Sequence, residues 1–172
     1  MNLQSTDFEL FGVPERFAQD RAVLDERWKD LQREAHPDKF AAQGAAAQRV
    51  AMQWSVRINE AYQRLKDPVK RAAYLCKLRG APVNAENNTA MPTAFLMQQM
   101  ELREALEEAK STEDMDEISQ KSSQNMREQL LKVEQLLDAG KDTEEAAKAV
   151  RALMFIERFM QDVDAHYEVL GH

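Results

Sequence analysis

The residues best suited to chemistry lie in one short segment, REAHPDKFAA, at positions 33–42. The imidazole of His36 and the carboxylate of Asp38 could form a general acid–base pair or supply ligands to a metal ion. Pro37 lies between them and stops a helix, because it has no backbone N–H and its φ angle is fixed. The same three residues could therefore also form a rigid surface that another protein recognises.

Little else in the sequence supports catalysis or metal binding. No second titratable cluster, glycine-rich phosphate loop or activated nucleophile accompanies His36. The single cysteine, Cys76, excludes an internal disulfide and a multi-cysteine zinc site, and its neighbours in YLCKL are typical of a packed core thiol. His166 and His172 are too distant in sequence to suggest a metal motif. We expect no enzyme activity, no metal site and no cofactor.

The composition favours helices almost throughout. The 172 residues include only 5 Gly and 5 Pro, and the abundant Ala, Leu, Met, Glu, Lys, Arg and Gln are good helix formers. We therefore predict an all-α fold. The start, MNLQSTDFEL, has no signal-peptide pattern, and no apolar run approaches the ~20 residues needed to span a bilayer. We expect a cytoplasmic protein without membrane association.

Glycine and proline residues mark the ends of the predicted helices. In the first half the predicted helices cover residues 7–11, 21–35, 45–66 and 68 to just before Gly80. The segment GAPVNAENNTAMP, residues 80–92, has no helical period and is typical of a linker. Beyond it, Thr93 and the STED sequence at 111–114 are candidate helix caps. We predict a first domain at residues 1–80, a linker at 81–92 and a C-terminal three-helix bundle at 93–172.

Charge divides the chain at the same place. Residues 1–80 carry 14 Lys and Arg against 11 Asp and Glu, a net charge of +3. Residues 81–172 carry 9 against 19, a net charge of −10. The two halves are therefore expected to meet different partners. Neither has the concentrated basic face of a nucleic-acid binder, and the acidic half opposes contact with a phosphate backbone.

Two predicted helices on either side of the His-Pro-Asp segment have matching apolar faces. The first face consists of Leu24, Trp28, Leu31 and Ala35, and the second of Val50, Trp54, Ile58, Ala61, Tyr62 and Leu65. Such faces, joined by a short connection, predict an antiparallel helical hairpin with His36 at its tip. At ~100° per residue, Lys29, Arg33 and His36 share a flank away from the apolar face. The tip is predicted to be a basic surface.

This combination resembles the J domain, the module that activates DnaK-type chaperone ATPases. The resemblance rests on HPDKF between a basic helix and a long partner helix, followed by INEAYQRLKDPVKRAAYL, and it covers about residues 5–78. In that family the His-Pro-Asp loop and the basic face dock on the chaperone and promote hydrolysis of its ATP. The resemblance implies that the chaperone-binding residues are His36, Pro37, Asp38, Lys29, Arg33 and Lys39.

The helix after the linker has a second apolar face that a bundle core would not use. Phe95, Leu102, Leu106 and Ala109 share one side and are expected in the core. Most of the other side consists of Leu96, Met97, Met100, Glu101, Glu104 and Glu108, which suggests a docking patch. The alternative is that the methionines fill gaps against the first domain.

The last helix adds one aromatic residue to this patch. Its predicted core stripe consists of Leu153, Ile156, Met160, Val163, Tyr167 and Leu170. Phe155 lies roughly 160° from that stripe. In a three-helix bundle Phe155 could lie beside Leu96 and Met97.

Over nearly its entire length the chain resembles the HscB family, the J-type co-chaperones of iron–sulfur cluster assembly. The most specific segments are HPDKF and TAFLMQQMELREALEE. In that family the C-terminal bundle binds the cluster scaffold protein IscU and delivers it to the DnaK-like chaperone HscA. The resemblance implies that the scaffold-binding residues are Leu96, Met97, Met100, Glu101, Glu104, Glu108 and Phe155. The cysteine-rich N-terminal module of animal mitochondrial members is missing, so the chain resembles the bacterial type.

Two other functions remain as alternatives. A general J-type co-chaperone could act on a different client. A helix-turn-helix DNA-binding protein would also combine short helices with a basic face, but a His-Pro-Asp tip and the −10 half oppose it.

Overall fold

The computed structural model describes residues 2–84 and 91–171. Residues 85–90 of the predicted linker and the terminal His172 lie outside the described residues. Within the described ranges the chain is helical and contains no strand, which confirms the all-α prediction. It divides into two compact units, Met1–Leu75 and Cys76–His172. The functional boundary at residue 80 stays a prediction.

The first unit is built around a long helical hairpin. Its helices are α1 at Asp7–Phe11, α2 at Arg21–Ala35, a 3-10 helix at Pro37–Gln43, α3 at Ala45–Lys66 and the start of α4 at Pro68–Leu78. The Asp20 carboxylate accepts a hydrogen bond from the backbone N–H of Ala22 and caps α2. Asp67 accepts from the N–H groups of Val69 and Lys70 at the start of α4. These local signals explain why the helices begin where the sequence predicted.

Apolar side chains between α1, α2 and α3 form the core of the first unit. Leu24 of α2 and Ile58 of α3 are almost fully buried, as predicted. The Trp28 and Tyr62 rings stack with centroids 4.7 Å apart and join the two long helices. Val50 was wrongly placed in this face, because it is 52% exposed. It lies about 80° from Ile58 around the helix, which turns it out of the interface.

A buried carboxylate stabilises the same unit, and the sequence pattern did not reveal it. Asp7 is fully buried and forms a two-point ion pair with Arg64, with N–O distances of 2.6 and 2.9 Å. Arg57 approaches the same carboxylate at 2.8 Å. A buried charge needs such partners because desolvation is costly. The network holds α1 against α3.

The second unit contains a three-helix bundle. Its helices are α5 at Thr93–Glu108, α6 at Thr112–Glu134, a π-helical turn at Gln135–Ala139 and α7 at Thr143–Leu170. Ser111 and Asp142 cap α6 and α7 through their side chains. Thr93 was predicted as the cap of α5, and that prediction is wrong. Pro92 occupies the N-cap position, and no side chain of the described residues caps the helix.

The bundle core differs from the predicted stripe on α7. Leu153, Ile156 and Val163 are buried as expected, but Phe159 is also only 1% exposed. Leu170 was predicted to lie in the core and is 37% exposed in the last turn. The prediction used near-heptad spacing, whereas a helix with 3.6 residues per turn brings Phe159 beside Ile156 and Val163.

Cys76 is completely buried in the second unit. Burial raises the pKa of its thiol to about 11, because an apolar environment disfavours the thiolate. The group is therefore a protonated packing residue at neutral pH, as the sequence indicated. Within the described residues no helix combines the length and apolarity that crossing a membrane requires.

Candidate functional site

The first candidate surface is the tip of the hairpin, where Pro37 forces the chain out of α2. His36 precedes the proline and has an extended backbone, with φ −61° and ψ 128°. It also serves as the N-cap of the 3-10 helix, because its Nδ1 accepts a hydrogen bond of 3.2 Å from the Asp38 N–H. A neutral imidazole that accepts at Nδ1 carries its proton on Nε2. The exposed ring therefore presents its Nε2–H as a donor, and the local hydrogen bond holds the His36 ring in place.

Asp38 is the most exposed member of this tip, with 91% of its side chain accessible. The distance from its Oδ2 to the His36 Nδ1 is 3.7 Å, beyond the range of a hydrogen bond. The His36 and Asp38 side chains are therefore not hydrogen-bonded to each other in this structure. Among the residues the structure describes, no group of three or more His, Cys, Asp and Glu could hold a metal ion.

Polar contacts behind the tip hold the end of α2 against α3. The Ser55 hydroxyl donates to the Ala35 carbonyl at 3.2 Å, and the Gln32 amide donates to the Ser55 carbonyl at 3.3 Å. The Ala35 carbonyl belongs to the last turn of α2, so the Ser55 hydroxyl satisfies a group that the helix end would otherwise leave to solvent. The sequence analysis missed these residues. The sequence signal that could have revealed them was a serine between apolar positions of α3.

The predicted basic residues lie around the tip. Lys29 and Arg33 are exposed one turn apart on α2, and Lys39 is exposed in the 3-10 helix. Arg33 lies 3.6 Å from Asp30, an exposed pair that contributes little stability. The structure thus brings all six predicted chaperone-facing residues into one part of the first unit. Whether they bind a chaperone stays a prediction.

The second candidate surface is the outer face of α5. Met97 and Met100 are 58% and 63% exposed, whereas the core-facing Leu102 and Leu106 are each 6% exposed. Leu96 is also accessible, and so are the carboxylates of Glu101, Glu104 and Glu108. Helical phase therefore predicted correctly which side of α5 faces solvent. The methionines do not fill an internal gap in this unit.

Phe155 of α7, the aromatic residue predicted for this surface, is 39% exposed. Its ring packs edge-to-face against Phe95 of α5, with centroids 5.9 Å apart and an interplanar angle of 76°. The sequence placed Phe155 beside Leu96 and Met97 and assigned Phe95 to the core. Phe95 is instead half-buried and forms the aromatic contact. We define the docking patch as Leu96, Met97, Met100, Glu101, Glu104, Glu108 and Phe155.

One ion pair fixes α5 to α7 two turns beyond the aromatic contact. The Arg103 Nη2 lies 3.2 Å from the Asp162 carboxylate. The same guanidinium lies 5.4 Å from the centre of the Phe159 ring. Because Arg103 is neutralised in this way, the exposed carboxylates of α5 keep their negative field.

An acidic groove of about 610 Å³ runs between α5 and α6 beside the docking patch. Glu101 and Glu108 lie on the α5 side, and Asp114 and Glu117 lie on the α6 side. Hydrogen bonds from the Lys110 N–H and then the Ser111 hydroxyl lower the pKa of Asp114, so this carboxylate stays ionised. Both the patch and the groove therefore favour a basic partner surface.

The chain is similar to known proteins over its full length. Residues 91–164 match the family described as "HSCB C-terminal oligomerisation domain". The "Co-chaperone protein HscB homolog" of Burkholderia thailandensis is 50% identical, over 100% of this chain and 99% of that protein.

Two solved structures are similar in fold. "Chaperone HscB from Vibrio cholerae" has a TM-score of 0.83 and 34% identity, covering 96% of this chain and 99% of that chain. The human co-chaperone protein HscB has a TM-score of 0.90 and 27% identity, covering 96% and 83%.

Proposed function

This chain belongs to the HscB family of co-chaperones, and on that premise we propose that it links an iron–sulfur scaffold to a chaperone ATPase. It binds the scaffold protein IscU, delivers it to the DnaK-like chaperone HscA and stimulates the ATPase of that chaperone. The result is cluster transfer and maturation. The protein acts in the cytoplasm, and neither nucleic acid nor a membrane is among its partners.

The hairpin tip carries the chaperone-facing role. His36 and Asp38 are exposed on a backbone held by local hydrogen bonds, so they meet a partner without further ordering of that backbone. Lys29, Arg33 and Lys39 add positive charge that steers encounter with an acidic chaperone surface. None of these groups performs chemistry on ATP. They stabilise the chaperone conformation that hydrolyses it.

The docking patch carries the scaffold-facing role. Leu96, Met97 and Met100 present apolar area to solvent, which a partner can bury with a gain of free energy. Glu101, Glu104 and Glu108 surround that area and set the orientation of a basic scaffold surface. Phe155 completes the patch from α7 and serves as an aromatic anchor.

The single observation that carries the proposal is the presence of two unlike exposed surfaces on separate units of one chain. One surface is polar and basic, and the other is apolar with an acidic border. A protein with one of these surfaces could bind one partner, whereas a protein with both can bring two partners together.

The steady-state ATPase rate of the chaperone tests this function. The rate is measured with the chaperone alone, with this protein, with IscU, and with both. We expect modest stimulation by either protein and a synergistic increase with both. Stimulation that is merely additive would contradict delivery of the scaffold. Stimulation by this protein without any effect of IscU would favour a general J-type co-chaperone for another client.

A further inference from the structure

The aromatic pair between α5 and α7 contains a residue outside the docking patch. Phe95 is half-buried, and its ring meets the exposed Phe155 edge-to-face at 5.9 Å and 76°. This is the geometry that aromatic rings prefer, because the positive edge of one ring meets the negative face of the other. The contact therefore restricts the orientation of the Phe155 ring.

Phe95 also lies where α5 has little local support. The helix begins at Thr93 after Pro92, and within residues 2–84 and 91–171 no side chain caps its first turn. An uncapped turn depends on tertiary contacts for its position. About two turns further along, Leu102 lies in a buried cluster with Phe159 and Val163 of α7, and Arg103 pairs with Asp162. Phe95 is the residue of that first turn that contacts α7 through its ring, and the turn also contains Leu96.

We propose that Phe95 is a positioning residue for scaffold docking that acts chiefly through Phe155 and to a smaller extent through the first turn of α5. It does not itself anchor the scaffold. It holds the Phe155 ring and the Leu96 side chain in the arrangement that the scaffold recognises. This inference rests on the proposed function, and it adds a residue that helical phase assigned to the core.

Scaffold affinity measured by calorimetric titration tests the inference with a double-mutant cycle. The variants are Phe95→Leu, which keeps apolar volume and removes the ring, Phe155→Ala, and the double variant. Phe95→Tyr restores an aromatic edge. Leu131→Ala, at a 66% exposed leucine of α6, is the control for losing an exposed apolar side chain outside the patch.

We expect Phe95→Leu to weaken scaffold binding about three- to tenfold, the range that an aromatic pair contributes. Phe95→Tyr should recover most of that loss, and Leu131→Ala should change nothing. In the Phe155→Ala background, Phe95→Leu should have a much smaller effect. Equal effects in both backgrounds would overturn the inference, because Phe95 would then act independently of Phe155.

A measurement without scaffold separates this inference from the proposed function. The ring protons of Phe155 feel the magnetic ring current of Phe95, so Phe95→Leu should shift their NMR signals. Unchanged signals would overturn the positioning role even if the scaffold binds. No measurable binding of IscU by the unaltered protein would overturn the proposed function, whatever the NMR signals show.

Discussion

The hairpin tip and the docking patch are both exposed, but different forces hold them in place. The tip is fixed over a few residues by hydrogen bonds, such as that from the Asp38 N–H to His36. The patch is assembled from two helices that are distant in sequence, through the Phe95–Phe155 contact and the Arg103–Asp162 ion pair. A polar surface of the first kind is recognised by geometry and charge, whereas the second depends on apolar area.

The largest expected effect concerns the hairpin tip, the polar surface of this comparison. Replacing His36 by Gln should abolish stimulation of the chaperone ATPase, because the imidazole is an exposed group at the recognised tip. The stability of the fold should change by no more than about 0.5 kcal/mol, as is usual for an exposed position. Scaffold affinity should be unchanged. The measurement is the ATPase rate at saturating protein.

His166→Gln is the matched control, since it removes an imidazole from α7. It should leave the stimulation intact. Full stimulation by the His36→Gln protein would refute the J-domain role of the tip.

The next largest effect concerns the docking patch, the apolar surface of this comparison. Truncating Leu96, Met97 and Phe155 together to Ala should weaken scaffold binding by about two orders of magnitude or more. Each anchor side chain that the scaffold buries contributes ~1 to 3 kcal/mol to binding. The variant should keep the modest stimulation that the tip gives alone and lose the extra stimulation with scaffold. Calorimetric titration measures the first outcome, and the ATPase assay measures the second.

The control for that variant is the triple truncation of Leu131, Val169 and Leu170, which are also exposed apolar residues of the second unit. It should bind scaffold normally. Thermal melts followed by circular dichroism show whether the bundle survives. A large fall in melting temperature for the patch variant would mean that its side chains belong to the core.

Salt should weaken binding at the two surfaces to different extents, and the expected change in affinity is smaller than for the patch variant. Raising the ionic strength screens Lys29, Arg33 and Lys39, so chaperone affinity should fall roughly tenfold, mainly through a slower association rate. Scaffold affinity should fall less, because its centre is apolar. Surface plasmon resonance over a salt series measures both. Equal salt dependence of the two affinities would contradict the comparison. So would an unchanged salt dependence of chaperone affinity after the three cations are replaced by Gln.

The smallest effect concerns the interior beneath the patch. Gln99 is only 4% exposed, and neither atom of its amide has a hydrogen-bond partner among the described residues. Because an unpaired buried amide is costly, Gln99→Leu should raise the free energy of unfolding by about 1 kcal/mol. Scaffold affinity should stay the same.

Both tryptophans, Trp28 and Trp54, belong to the first unit. Denaturation followed by circular dichroism should therefore detect the higher free energy of unfolding of the Gln99→Leu protein. Tryptophan fluorescence should show no change in the unfolding transition. A decrease in stability would show that the amide is paired after all.

The sequence predicted the tip better than the patch, for a physical reason. Pro37, the cap at Asp20 and the apolar faces of two adjacent helices are local signals, so the hairpin and its exposed His36 follow from them. Helical phase also predicted correctly which α5 side chains meet water. The Phe95–Phe155 contact and the buried Asp7 network depend on how distant helices pack, and a periodic pattern contains no information about such pairs.

The uncapped start of α5 has a consequence for the timing of recognition. In the part of the chain that the structure describes, the first backbone N–H groups of this helix have no capping side chain. Such helix ends open and close by local fluctuations that cost little free energy. Leu96 lies in this first turn, so we expect the patch to exchange between formed and frayed states. A scaffold that binds only the formed state loses part of its contact free energy to ordering this turn. The same fluctuation would give the proposed complex a place from which to separate, so we expect scaffold release to begin at this end of α5.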